Sequence, residues 1–221
     1  DIFNNAQVLN EIFINIILPN ITLRESDEEL FEDDPIEYIK RDIENNDSNT
    51  RRSSSTEFLR ELKDKNESLV TETVLKYINE FLGNFNSDAS NWKQKDTAIY
   101  LFIAIAAKGN ITGAGVTSTN LLVDVVSFFQ QNIARDLMNQ SIENPILIVD
   151  SIRYLYIFRN QLTKQQLVES FPLLLNHLNS DNYIIYTYSS ITIEKILSLR
   201  DNSSTVYTLL FNKSDIESIF K

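Results

Sequence analysis

Apolar residues recur along this chain at steps of four and three, the spacing that lines one face of an α-helix. Val70, Val74, Tyr77 and Phe81 form one stripe. Leu122, Val126, Phe129 and Ile133 form another, continued by Leu137, and Leu167, Phe171, Leu174 and Leu178 form a third. Leu9, Phe13 and Ile16 begin a fourth near the start. Between these stripes the pattern predicts helices of a second kind, opening near Thr50, Trp92, Pro145 and Tyr183. Pro145 suits a first helical position, where a missing N–H costs nothing. Ile185, Ser189, Ile193 and Ile196 line one face of the last of these.

The two kinds alternate as A and B helices through four pairs. Successive B-helix starts lie 42, 53 and 38 residues apart, a mean of about 44, inside the range expected for HEAT or armadillo units. The predicted fold is therefore all-α, an α-α superhelix of about four HEAT-type pairs. The pairs are placed at residues 4–64, 67–107, 120–159 and 165–199, with the start of a further repeat at 214–221. The chain begins with Asp1, and together with this last helical opening it reads as a slice of a longer array. Gly83 is expected to end the second A helix, and Gly109, Gly113 and Gly115 fall between a B helix and the next A helix. Asp181-Asn182 predicts a tight turn and Asn202-Ser203-Ser204 a loop. Asp47-Ser48-Asn49-Thr50-Arg51 followed by Ser54 and Ser55 matches the acidic turn, apolar-basic opening and small residues typical of a HEAT unit, and Trp92-Lys93 has a similar role in the next repeat. One helix pair cannot hide both of its apolar faces; stacking against neighbours does.

Only 4 Gly and 4 Pro occur in 221 residues, which disfavours a turn-rich sheet protein. Cysteine is absent, so there is no disulfide framework or thiolate metal site. No 18-residue apolar segment or signal-like stretch is read in the sequence. The net charge of −11 argues against nucleic acid or an anionic membrane as partner, since both require basic surface. Basic proteins remain attractive partners.

Most of that charge is local. Residues 22–49, inserted within the first pair, hold eleven acids against three bases, a net −8 that leaves −3 for the rest of the chain. Leu30, Phe31, Ile36, Tyr38 and Ile39 are interleaved, so part of the insertion is expected to dock as a short helix. Composition leaves two readings open: a solvated acidic loop, or an element facing a basic partner. A calcium loop is excluded, because a run starting at Asp27 puts Glu32 where an EF-hand needs glycine.

Longer strings carry a resemblance. Leu18-Pro19-Asn20-Ile21-Thr22-Leu23-Arg24 leads into Glu29-Leu30-Phe31-Glu32-Asp33-Asp34-Pro35-Ile36-Glu37-Tyr38-Ile39-Lys40-Arg41-Asp42. Asn91-Trp92-Lys93, Lys95-Asp96, Ala98-Ile99-Tyr100-Leu101 and Ile157-Phe158-Arg159-Asn160-Gln161 follow. Together these closely resemble the central repeats of CAS-type exportins in the karyopherin-β family, and the Gly109–Thr117 loop resembles a fungal-type member. The resemblance covers essentially the whole chain. It implies a non-catalytic receptor segment whose partners are importin-α and Ran in its GTP form, with nuclear-pore proteins as further contacts, shuttling between nucleus and cytoplasm. It requires no cofactor. The partner surface it implies comprises Glu28, Glu29, Glu32, Asp33 and Asp34 of the insertion, with Arg51, Lys93, Arg153, Arg159 and Asn160 on the B-helix side. The other reading of the same helices is a static HEAT scaffold of another complex.

Catalytic constellations are sparse. His177 is the only histidine, too few for a hydrolase triad or a zinc site, and it is expected to face solvent or a loop near a helix C-terminus. Gly109–Ser118 lacks the Gly-Lys-Ser/Thr ending of a phosphate-binding loop. Arg51-Arg52-Ser53-Ser54 has the spacing of a kinase site or a fragment of a nuclear signal. The repeat pattern favours another explanation, in which Ser54 and Ser55 are small because two helices approach there. Trp92, Tyr154, Tyr156 and Phe158 are expected in the core.

Overall fold

The computed structural model describes residues 5–44, 50–109, 115–138, 144–200 and 210–219. Asp47–Asn49 of the acidic turn, residues 110–114 of the glycine-containing loop, the 202–204 loop and the last two residues lie outside the described residues. Eleven α-helices are described, besides one short 3-10 turn at Ala89–Asn91. They are α1 (residues 6–21), α2 (Glu25–Asp33), α3 (residues 35–44), α4 (Arg51–Lys65), α5 (Glu67–Ser87), α6 (Trp92–Ala106), α7 (residues 125–138), α8 (Pro145–Phe158), α9 (Lys164–His177), α10 (Tyr183–Leu197) and α11 (Lys213–Ile219). No strand occurs among the described residues; one isolated antiparallel bridge joins Ala107 and Thr119.

Short polar side chains start these helices. The carboxamide of Asn5 accepts from the Gln7 amide, Asn66 from Leu69, Asp124 from Ser127 and Asn182 from Ile184. Thr50 and Ser53 cap α4 reciprocally, as Thr163 and Gln166 cap α9. Each cap satisfies an amide with no partner inside its own helix, worth about 1 kcal/mol. The B helices α4, α6, α8 and α10 thus open at Arg51, Trp92, Pro145 and Tyr183.

The described residues fall into two compact units. The first runs to Lys108 and includes Ser118–Val123; the second holds Gly109–Thr117 and everything from Asp124 onward. In the first, A helix α1 packs on A helix α5, and B helix α4 packs on B helix α6, while α5 and α6 form the tightest pair. In the second, α7 packs on α9 and α8 on α10. A-on-A and B-on-B contact is how stacked pairs hide the faces that each leaves open.

The buried stripes differ in detail from the sequence pattern. In α1 the buried residues are Leu9, Phe13, Ile17 and Ile21, whereas Ile16 is half exposed. A π-helical segment, Phe13–Ile17, widens this turn, so positions four apart stay on one face. The same device, Phe129–Ile133, keeps Val125, Phe129, Ile133 and Leu137 buried in α7; Leu122 precedes that helix and is exposed. In α5, Ile78 and Leu82 join Val70 and Val74 in the core. Tyr77 turns sideways instead, its ring 4.5 Å from that of Phe13 and its hydroxyl donating to Asn10 at 2.7 Å. Gly83 lies inside α5 rather than ending it, on an exposed turn where a side chain would meet nothing. His177 is buried, its Nε2 2.9 Å from the Leu137 carbonyl, because it sits on the α9 face that packs against α7. Residues 6–33 also contain a window long and apolar enough, by composition, to cross a membrane, contrary to the sequence reading. The helix breaks at Thr22, however, and its apolar face packs against α4 and α5.

Gly115 has φ +80°, and a Cβ there would stand 2.7 Å from the Arg159 guanidinium. The next residue is fastened to the end of α8: the Val116 amide donates to the Ile157 carbonyl at 2.9 Å, and Gln161 donates to the Val116 carbonyl at 2.7 Å. At the centre of the second unit, Tyr154 is fully buried, with its ring beside Phe128, Phe129 and Phe158. Its hydroxyl donates to the Val125 carbonyl at 2.9 Å.

Burial raises the Tyr154 pKa well above its ordinary value. The folded chain therefore keeps this proton at alkaline pH where the unfolded chain loses it. Its contribution to stability is full below pH ~10 and declines as pH rises beyond. Tyr154→Phe should cost about 1 kcal/mol at neutral pH and lessen the alkaline loss, as read by urea unfolding between pH 8 and 11. An unchanged alkaline slope in the variant would contradict this.

Candidate partner-binding surface

The surface is organised by a polar hub where the acidic insertion leaves α1 and rejoins α4. Residues 95–106 of α6 are all buried, including Asp96, fully so. An ionised carboxylate at such a depth needs a charged partner. Arg52, in the first turn of α4, supplies it: its guanidinium lies 2.6 Å from Asp96 and donates through Nε to the Ile21 carbonyl at 2.8 Å. The same guanidinium lies over the Tyr100 ring, 3.6 Å from its centroid. One side chain thus ties the end of α1, the start of α4 and the body of α6.

Its neighbour Arg51 makes similar contacts further out. It donates to the carbonyls of Pro19 and Asn20 at 3.2 and 2.6 Å, and its guanidinium lies 2.5 Å from Asp27 of the insertion. Ser55 lets α4 approach α1 closely, its hydroxyl donating to the Ile17 carbonyl at 3.0 Å. Ser55 therefore fits the small-residue explanation, whereas Ser54 is exposed.

The described portion of the insertion is a docked pair of short helices. Asp34 ends α2 and caps α3, accepting from the Glu37 amide at 3.0 Å. Phe31 and Tyr38 are buried, their rings edge to face at 5.0 Å. Glu28 forms an ion pair with Lys93 of α6, and the Tyr100 hydroxyl donates to Asp42 at 3.4 Å.

The predicted surface residues separate accordingly. Glu28 and Lys93 hold each other, and Arg51 holds the insertion's entry. Glu29, Glu32, Asp33 and Asp34 point outward and are exposed. In the second unit, Arg159 is buried with its guanidinium 5.0 Å from the Tyr156 ring centroid, and it donates to the Tyr156 carbonyl. Arg153 is half-buried; Asn160 is exposed and donates to the Val116 carbonyl at 3.2 Å. Trp92 is also half-buried rather than core, with the Lys93 ammonium 5.5 Å from its ring centroid. Arg52 and Asp96 do not stand out as surface candidates in the sequence. An acid standing two residues before the long run Ala98 to Ala107, which carries no charge, is the available signal. Among the described residues no group of His, Cys, Asp or Glu could hold a metal ion.

A family model described as Cse1 matches residues 1–193. The chain belongs to the Cse1 family. Among curated relatives, the importin alpha re-exporter of Saccharomyces cerevisiae is 55% identical over 219 residues, covering 99% of the chain and 23% of that protein. The importin-alpha re-exporter of Schizosaccharomyces pombe is 42% identical over 95% of the chain and 22% of its own length. Human exportin-2 is 38% identical over 94% of the chain and 22% of its own length. A solved structure, described as the exportin Cse1 in its cargo-free, cytoplasmic state, matches with a TM-score of 0.86 and 57% identity, over 89% of the chain and 22% of that chain. The helical-repeat fold of the Cse1 family is thereby the fold of this chain. The chain spans less than a quarter of the length of these relatives.

The partly exposed Glu28–Lys93 pair, with side chains 26% and 44% accessible, is worth about 0.2–1 kcal/mol. Phe31, by contrast, anchors the insertion by burial. Lys93→Met should therefore change the local stability of residues 25–39 by less than about 1 kcal/mol, and Phe31→Ala should reduce it by about 3 kcal/mol. Amide hydrogen exchange of those residues measures both; a larger effect from Lys93→Met would reverse the assignment.

Proposed function

We propose that this chain is a segment of a nuclear export receptor that binds importin-α together with Ran in its GTP form and carries it from nucleus to cytoplasm. The observation that carries the reading is the 55% identity, over nearly the whole chain, to a protein named as an importin alpha re-exporter. The fold agrees with that role. Stacked helix pairs offer long surfaces for a protein partner, and small rotations between pairs add up to large changes in curvature.

The segment works by binding and not by chemistry; GTP hydrolysis belongs to Ran. Its partner-binding residues are, in the first unit, the outward acids Glu29, Glu32, Asp33 and Asp34 and, in the second unit, Arg153 and Asn160. Nuclear-pore proteins complete the partner set, and the protein shuttles between nucleus and cytoplasm. Glu28, Lys93, Arg51 and Arg159 act mainly by holding those residues in place, a role supported by their internal contacts.

The full-length protein, immobilised and offered importin-α, should retain it with GTP-loaded Ran and lose it with the GDP form. Equal retention in both states would favour a static scaffold instead. Neutralising Glu29, Glu32, Asp33 and Asp34 together should weaken retention and flatten its salt dependence, because exposed charges act through a screened field.

A further inference from the structure

Small size at a helix contact accounts for Ser55 and leaves Ser54 unexplained. Ser54 is exposed and lies two and three residues after Arg52 and Arg51. That spacing, two arginines followed by any residue and then serine, is the recognition pattern of arginine-directed serine kinases. We propose that Ser54 is a phosphorylation site whose modification is coupled to release of the acidic insertion.

The coupling follows from where the two arginines are engaged. Arg51 grips Asp27 and the Pro19 and Asn20 carbonyls, and Arg52 grips Asp96 and the Ile21 carbonyl. A kinase reads the same guanidinium groups in an extended segment, so it competes with Asp27 of the insertion for Arg51 and with Asp96 and the end of α1 for Arg52. Opening of the first turn of α4 exposes the motif; docking of the insertion hides it.

Once in place, the phosphate acts in the same direction. It carries nearly two negative charges at neutral pH and accepts strong hydrogen bonds from guanidinium groups. Ser54 stands three residues after Arg51 on α4, so the two side chains share a helix face. A phosphate there competes with Asp27 for Arg51 and repels the acids of α2, among them Asp27 and Glu28.

The step itself is ordinary phosphoryl transfer from ATP. The Ser54 hydroxyl oxygen attacks the γ-phosphorus and the bond to the ADP oxygen breaks. The hydroxyl proton passes to the kinase base, which is supplied by the kinase and not by this chain.

The test uses the full-length protein, ATP and the catalytic subunit of the cAMP-dependent kinase, with phosphate mapped by peptide mass. Ser54 should be modified slowly in the native protein and faster, by up to about fivefold, in Asp27→Asn, the limit set by loss of one partly exposed ion pair. Lys93→Gln, which frees the neighbouring Glu28 in the same turn of α2, should accelerate it too. In the phosphorylated protein, amides of residues 25–44 should exchange faster than in the unmodified form. Modification at other residues with none at Ser54 in either variant overturns the site. Equal rates in native and variant proteins, or unchanged exchange after modification, overturn the coupling. The assay involves neither importin-α nor Ran, so its outcome is independent of the receptor reading.

Discussion

A carboxylate sits where water cannot reach it. Asp96 lies in a stretch of α6 that is buried on every side, and an isolated charge in such a place would cost far more than a domain of this size can tolerate. Arg52 resolves this by reaching from the neighbouring repeat. In doing so it fixes the register of α4 on α6 and satisfies the last carbonyl of α1. The pairing is specific in a way that apolar packing is not, because leucine-rich faces can slide past each other while a buried ion pair holds one register. Tyr100 roofs the guanidinium, and Asp42 of the insertion accepts from Tyr100. The acidic element is thus fastened to the same point that aligns the repeats.

This arrangement divides the charge of the insertion into two classes. Asp27, Glu28 and Asp42 face inward and are used in contacts with Arg51, Lys93 and Tyr100. Glu29, Glu32, Asp33 and Asp34 face solvent. Sequence composition lumps them together as one acidic run. The fold sorts them, because a helix presents residues three and four apart on the same side. Phe31 and Tyr38 supply the apolar anchor between the two classes. A loop that looks like a solvated interruption is, over residues 22–44, a folded element of the first unit.

The fold is largely legible in the sequence for a physical reason. Helix caps and apolar periodicity are local signals, and the B helices open at capping residues or at proline, as at Thr50 before Arg51, Asn144 before Pro145 and Asn182 before Tyr183. What escapes is non-local. The π segments at Phe13–Ile17 and Phe129–Ile133 depend on tertiary packing, so Ile17 rather than Ile16 is buried. His177 reads as facing solvent or a loop because it stands near a helix C-terminus, yet the α7 residue whose carbonyl it meets lies 40 residues earlier. Gly83 reads as a helix stop; the propensity cost of glycine is only about 1 kcal/mol, and the packing of α5 on α6 overrides it. Of the candidate surface, the acidic run as a whole is readable from composition, but which of its members face outward is not. The internal use of Glu28, Lys93 and Arg159 is not, since nothing in a sequence says which charge a given charge will meet.

The claim that Arg52 and Asp96 act as one unit is tested most directly by a double-mutant cycle on the full-length protein, with unfolding free energies from urea denaturation. Arg52→Met and Asp96→Leu should each cost about 3–5 kcal/mol, because each leaves a buried charge without its partner. The double variant should recover most of that loss, giving a coupling of at least about 2 kcal/mol. Two single costs that simply add would mean that neither charge depends on the other, and the account of how these repeats are held in register would be wrong.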